Sequence, residues 1–158
     1  MDSIIYCQQW FRRYKKIVNP MSAEEAERLH NAGLSYAALL GPEDAPRAYV
    51  QMLLDKKVIL VGFLDAHCRE YLSYQFEFMG GSRIFLSLAT FRKYSIESES
   101  VIYGETYSFS VSGEAAILET DFSTNESREL SKEYDASSHF IEMPDFGDFE
   151  SLAREEWL

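Results

Sequence analysis

The segments KVILVGFL at residues 57–64 and YLSYQFEF at 71–78 decide how the rest of the chain is read. Val58 to Leu64 is a continuous apolar run of strand length, suited to the middle of a sheet. In the second segment Leu72, Tyr74, Phe76 and Phe78 alternate with Ser73, Gln75 and Glu77, the period of two that a half-buried strand imposes. Gly80-Gly81 breaks the pattern, and Ile84, Leu86 and Leu88 resume it on one parity. Register selects the loop: a three-residue turn, Gly80-Gly81-Ser82, sets Phe78 opposite Ile84, Phe76 opposite Leu86 and Tyr74 opposite Leu88.

Toward the C-terminus the same reasoning applies to a second hairpin. Tyr103, Tyr107, Phe109 and Val111 share one parity, and Ala116, Leu118 and Phe122 share another. A two-residue loop at Ser112-Gly113 pairs Phe109 with Ala116, Tyr107 with Leu118 and Tyr103 with Phe122. Thr106, Ser108, Ser110, Glu119 and Asp121 then fall on a polar face turned to water. Arg128 to Asp135 reads as an edge strand, Phe140 to Gly147 as irregular, and Phe149 to Leu158 as a short terminal helix.

Toward the N-terminus the period lengthens. Ile4, Cys7, Phe11, Tyr14 and Val18 recur at three and four residues, the stripe of an amphipathic helix, which Asn19-Pro20 ends. Ser22 followed by Glu25 is a capping-box pattern and opens a second helix. Leu34 to Leu40 reads as a helical turn, and Pro46 to Asp55 as a third helix burying Tyr49, Val50, Leu53 and Leu54. The expected fold is α+β, with N-terminal helices packed on a largely antiparallel β-meander sheet. It forms a single domain, 1–158, with a helical part at 1–56, a sheet part at 57–135 and an irregular acidic segment at 136–158.

Composition sets the broad class. The 158 residues are 46% hydrophobic and 15% aromatic, a balance that favours a folded core over disorder. The longest apolar run is far shorter than the roughly 20 residues of a membrane-spanning helix. The basic cluster Arg12, Arg13, Lys15 and Lys16 lies where a secretory leader would carry its apolar core. Cys7 and Cys68 fall on separate elements, and a chain of this size does not need disulfides. These features point to the reducing cytoplasm.

The net charge of −11 is unevenly distributed. Residues 1–94 carry 12 Lys/Arg against 10 Asp/Glu, whereas residues 95–158 carry 3 against 16. A field of that sign repels phosphate backbones, so nucleic acid is not an expected partner. A basic protein is.

Most motifs with chemical content fail on geometry. His30, His67 and His139 are scattered, without metal-ligand spacing. His67 and Cys68 are neighbours, but adjacent strand residues point to opposite faces, which leaves Cys68 as a small packed residue. Glu119 and Asp121 project together from a strand, yet nothing apolar beside them would raise one pKa. Asp145-Phe146-Gly147 spells the kinase magnesium triplet without its companion motifs. Gly80-Gly81 belongs to a hairpin rather than a phosphate loop. No catalytic, cofactor-binding or metal-binding set is expected, and the basic cluster near residues 12–16 reads as a solvated helix face.

In size, charge and layout the chain resembles the immunity proteins that bacteria make against polymorphic toxins, including those of contact-dependent inhibition. The resemblance implies a protein-binding module that neutralises a cognate toxin, a basic one of nuclease type, by occluding it. The segment expected to carry the contact places Glu133, Asp135, Glu142, Asp145, Asp148 and Glu150 around Tyr134, Phe140, Phe146 and Phe149. Carboxylates there would set the encounter rate and aromatics the residence time. Two alternatives stand beside it. One is a small-molecule-binding or enzymatic domain with a pocket between helices and sheet, lined by Tyr71, Tyr74, Tyr103 or Tyr107. The other is a subunit of a larger assembly.

Overall fold

A computed structural model describes residues 2–157. The strands are β1 (Ile4–Phe11), β2 (Lys16–Met21), β3 (Tyr36–Leu40), β4 (Ala48–Leu53), β5 (Val58–Leu64), β6 (Glu70–Phe78), β7 (Arg83–Tyr94), β8 (Val101–Phe109), β9 (Glu114–Asp121), β10 (Glu126–Glu133) and β11 (Phe140–Glu142). Among the described residues the one α-helix is α1 (Ala23–Asn31). One antiparallel sheet runs in the order β10-β9-β8-β7-β6-β5-β4-β3-β1-β2, with β11 pairing the first part of β7. Among the described residues no helix is long and apolar enough to cross a membrane.

The N-terminal helices expected over 1–56 are therefore replaced by strands, and the α+β assignment is corrected to a nearly all-β sheet with a single helix. Residues 4–21 form the β1–β2 hairpin, and residues 36–53 form the β3–β4 pair. The cause is burial on both faces. All five residues of β3 are buried, as are four of six in β4, so apolar residues occupy both parities. A strand of that kind offers matches at i, i+3 and i+4 as readily as at i, i+2. Only the capping box predicts correctly: Ser22 Oγ accepts the Glu25 N–H at 3.1 Å, and Ala26 and Leu29 pack onto the sheet.

The inner face carries Tyr36, Ala38, Val50, Val61, Phe63, Tyr74, Phe76 and Leu86 in one continuous core. Helix α1 covers part of it. The remainder is covered by the C-terminal segment, which buries Phe149, Leu152, Ala153 and Trp157. No α-helix forms over 149–157; two turns and a short 3-10 stretch at Glu155–Trp157 take its place, and Leu158 lies outside the described residues. Arg47 fastens this segment, donating to the Ala153 carbonyl at 3.1 Å and to Glu150 at 2.8 Å while also holding Asp2 at 2.6 Å.

The first hairpin follows its expected register through Phe78–Ile84 and Phe76–Leu86. An extra residue, Ser87, then shifts the pairing, so that Tyr74 faces Ala89 instead of Leu88. The second hairpin is one residue off. Ser110 N–H donates to the Glu114 carbonyl at 2.9 Å, closing a three-residue loop, Val111-Ser112-Gly113, in which Gly113 has φ +98°. Phe109 pairs with Ala115 and Tyr107 with Ile117, and these two partners are the buried ones. Because side chains alternate, Ala116, Leu118 and Phe122 turn to the outer face.

If the C-terminal segment is core, Leu152→Ala should cost about 2–5 kcal/mol, as for other buried leucines. Urea unfolding monitored by circular dichroism measures this. A loss below about 1 kcal/mol would place the segment on the surface instead.

Candidate functional site

A concavity of about 810 Å³ opens at one end of the outer face. Three connections meet there: the β1–β2 turn, the β5–β6 turn and the β7–β8 loop. They are stitched together by two basic side chains. Lys15 donates to the His67 carbonyl at 2.8 Å and pairs with Glu99 at 3.0 Å. Arg69 pairs with Asp65 at 2.9 Å, donates to the carbonyls of Ser95 and Ser98 at 3.1 and 3.2 Å, and stacks on Tyr94 at 5.0 Å.

At the base of this cleft lies Glu70, 4% exposed. It reaches the outer face through a β-bulge. Leu64 pairs with Glu70 but Phe63 pairs with Leu72, so Tyr71 is an extra residue that reverses the alternation before it. The Glu70 carboxylate accepts from the Tyr49 hydroxyl and from Arg92 at 3.0 Å and forms an ion pair with Arg12 at 3.4 Å, while its main-chain carbonyl accepts from the Tyr94 hydroxyl at 2.7 Å. Burial, then the adjacent carboxylate, raises the pKa of Tyr49 and keeps its proton in place. Gly62 makes the arrangement possible. A Cβ there would run into the Tyr49 ring and the Glu70 carboxylate.

The thiols differ in setting. Cys7 is buried, and its pKa is raised to about 11 by that burial, only partly offset by backbone hydrogen bonds. Cys68 lines the cleft at φ +57°, in a turn and not on the strand expected for it. The other two histidines are engaged elsewhere: His30 Nδ1 with the Tyr36 hydroxyl at 2.8 Å, and His139 Nδ1 with the Leu86 carbonyl at 3.1 Å. Among the described residues no group of three or more His, Cys, Asp or Glu is placed to hold a metal ion.

The segment 133–150 is divided by the fold. Glu133, Asp135, Glu142, Asp145, Asp148 and Glu150 are exposed. Its aromatics are packed inward: Phe149 is buried, Phe146 stacks on Tyr6 and Tyr36, Phe140 lies on Phe85, and Tyr134 rests against Phe109 and His139. The tyrosines considered for a pocket between helices and sheet are also committed. Tyr71 and Tyr74 bond to Glu155, and Tyr103 and Tyr107 both reach Glu105.

A different surface emerges on the outer face of β8–β10. Pairing places Glu114, Ala116, Leu118 and Thr120 of β9 beside Glu133, Ser131, Glu129 and Ser127 of β10. Leu118 is 41% exposed and Phe122 51%. Arg128 and Lys132 alternate to the other side, where they meet Glu119 at 2.9 Å and the Tyr107 ring at 5.9 Å. Glu119 and Asp121 are thus opposite Glu105 and Tyr103 and do not share the face of Thr106 and Ser108. The one-residue register shift is the signal that sequence reasoning missed. No known protein family matches the chain, nor does any curated protein or solved structure.

Asp65 organises one wall of the cleft. Burial disfavours its charge, but hydrogen bonds from the Arg69 N–H, the Arg69 side chain and the His67 N–H outweigh that and lower its pKa from the ordinary 3.8. A lowered folded-state pKa gives stability that is present above the unfolded value and lost as pH falls through the folded one. Asp65→Asn should therefore be less stable than the parent chain at pH 7, and the gap should close as pH falls below about 4. Urea titrations at the two ends of that range test the sign; a gap that widens in acid contradicts it.

Proposed function

We propose that the chain is a protein-binding module that holds a basic partner against the outer face of β8–β10. The observation that carries this reading is the sorting of side chains by strand parity. Leu118 and Phe122 stand exposed beside Glu114, Glu129 and Glu133, while the two basic residues of β10 point away. Apolar area bordered by one sign of charge is the anatomy of a recognition surface. Its carboxylates would steer a cationic partner, and its apolar centre would retain it.

Small residues support the same assignment. Gly104, Thr106, Ser108 and Ala116 leave shallow depressions beside Leu118, of about 270 and 540 Å³, into which a partner's side chains can settle. The exposed carboxylates of 133–150 add to the field, but the phenylalanines of that segment are occupied in packing and are poor anchors. The immunity-protein reading fits here: the partner would be a basic toxin domain of nuclease type, occluded on binding.

Affinity capture from the native host's extract tests the proposal with Leu118→Arg and with the pair Asp145→Lys, Asp148→Lys. The expected result is one basic protein, released as salt rises, that the 145/148 variant retains and Leu118→Arg loses while keeping its circular dichroism. An acidic partner, or equal retention by Leu118→Arg, overturns the assignment.

A further inference from the structure

The cleft built on Glu70 has features that a protein-docking face on β8–β10 does not use. We infer that it is a binding site for a small molecule bearing an oxyanion, a carboxylate or a phosphate monoester, on an apolar, flat body. Its volume of about 810 Å³ is that of a small-molecule site. Trp10, Phe11 and Tyr94 supply apolar walls.

The charge of the cleft favours an anion. Its two carboxylates are already compensated, Glu99 by Lys15, and Glu70 by Arg92 and Arg12. Arg69 is held by Asp65 and two carbonyls. Arg13 forms no ion pair among the described residues, and Arg12 has one contact, at 3.4 Å, with its side chain 55% exposed. Two guanidinium groups at the mouth of a cleft, in a chain of net charge −11, are a local reversal of sign. Their planar donor forks match a carboxylate or phosphate. Arg13 and the loosely paired Arg12 are too few for a nucleic-acid backbone, and a small anion suits them better.

An independent observation comes from Trp10. The residue lines the cleft, is 6% exposed, and its indole N–H has no hydrogen-bond acceptor. Buried donors without acceptors are uncommon in folded chains, and this one lies closed off behind the cleft wall, where the ring serves the cleft as an apolar surface. Glu70 acts as a positioning residue in the site. It holds Arg12 beside the cleft at 3.4 Å and, being paired with Arg92 at 3.0 Å, does not repel an incoming anion.

The chain has two tryptophans, so Trp157→Phe leaves Trp10 as the single indole reporter. Its emission is followed during titration with inorganic phosphate, phenyl phosphate and benzoate. The expected result is a saturable change with phenyl phosphate or benzoate at a midpoint of about 1 mM or below, weakened at least about tenfold by Arg13→Ala. Saturation by phenyl phosphate alone identifies a phosphate ester, and by benzoate alone a carboxylic acid. Should Trp157→Phe not fold, the Trp10 indole N–H resonance of the unaltered chain reports the same titrations. Absence of saturation with all three probes up to about 10 mM, or binding indifferent to Arg13→Ala, overturns the inference.

Discussion

A meander of ten antiparallel strands has a broad inner face to remove from water, and this chain has one nine-residue helix with which to do it. The shortfall is met by residues 149–157, which form no α-helix and lay Phe149, Leu152, Ala153 and Trp157 against strands formed much earlier in sequence. Arg47 is the fastening, since it ties Asp2, Glu150 and the Ala153 carbonyl to β4. That obligation to the core explains why the acidic segment, suggestive as a contact surface when read in sequence, presents its carboxylates and withholds its rings.

Irregularity in the sheet is concentrated where chemistry can be built. The Tyr71 bulge carries Glu70 out of the parity it would otherwise share with Leu72 and delivers it to the opposite side. A buried carboxylate is tolerable only with partners, and the partners come from two different strands and a turn. Tyr49 from β4, Arg92 from β7 and Arg12 from the β1–β2 turn converge on one group. The consequence is a rigid base beneath loops that regular pairing alone would not bring together.

Legibility in the sequence followed burial. β6 and the start of β7, with one polar parity, are readable as alternation, and the Gly80-Gly81-Ser82 turn follows from it. Helix α1 is readable because Ser22 and Glu25 state its beginning in capping chemistry. β3 and β4 are not, because a strand buried on both faces has no polar parity to betray its period. Of the cleft, the Arg12–Lys16 cluster was visible but was assigned to a helix face. Trp10 reads as part of the same helical stripe, and Glu70 carries no mark in the sequence; the available hint is Gly62, an unexpected glycine in a strand of large apolar residues.

The register of β9 is set by a loop of three residues, not two, and nothing within β9 itself enforces the choice strongly. Ala115 and Ile117 on one parity, and Ala116 and Leu118 on the other, are nearly interchangeable as occupants of a core. The identity of the outward surface is thus encoded in the length of a turn that touches neither surface. In lineages of this chain, a one-codon insertion or deletion between Val111 and Gly113 would exchange the two sides of β9 in a single event. Such a change would bury one set of β9 side chains and expose the other without altering any residue of the strand.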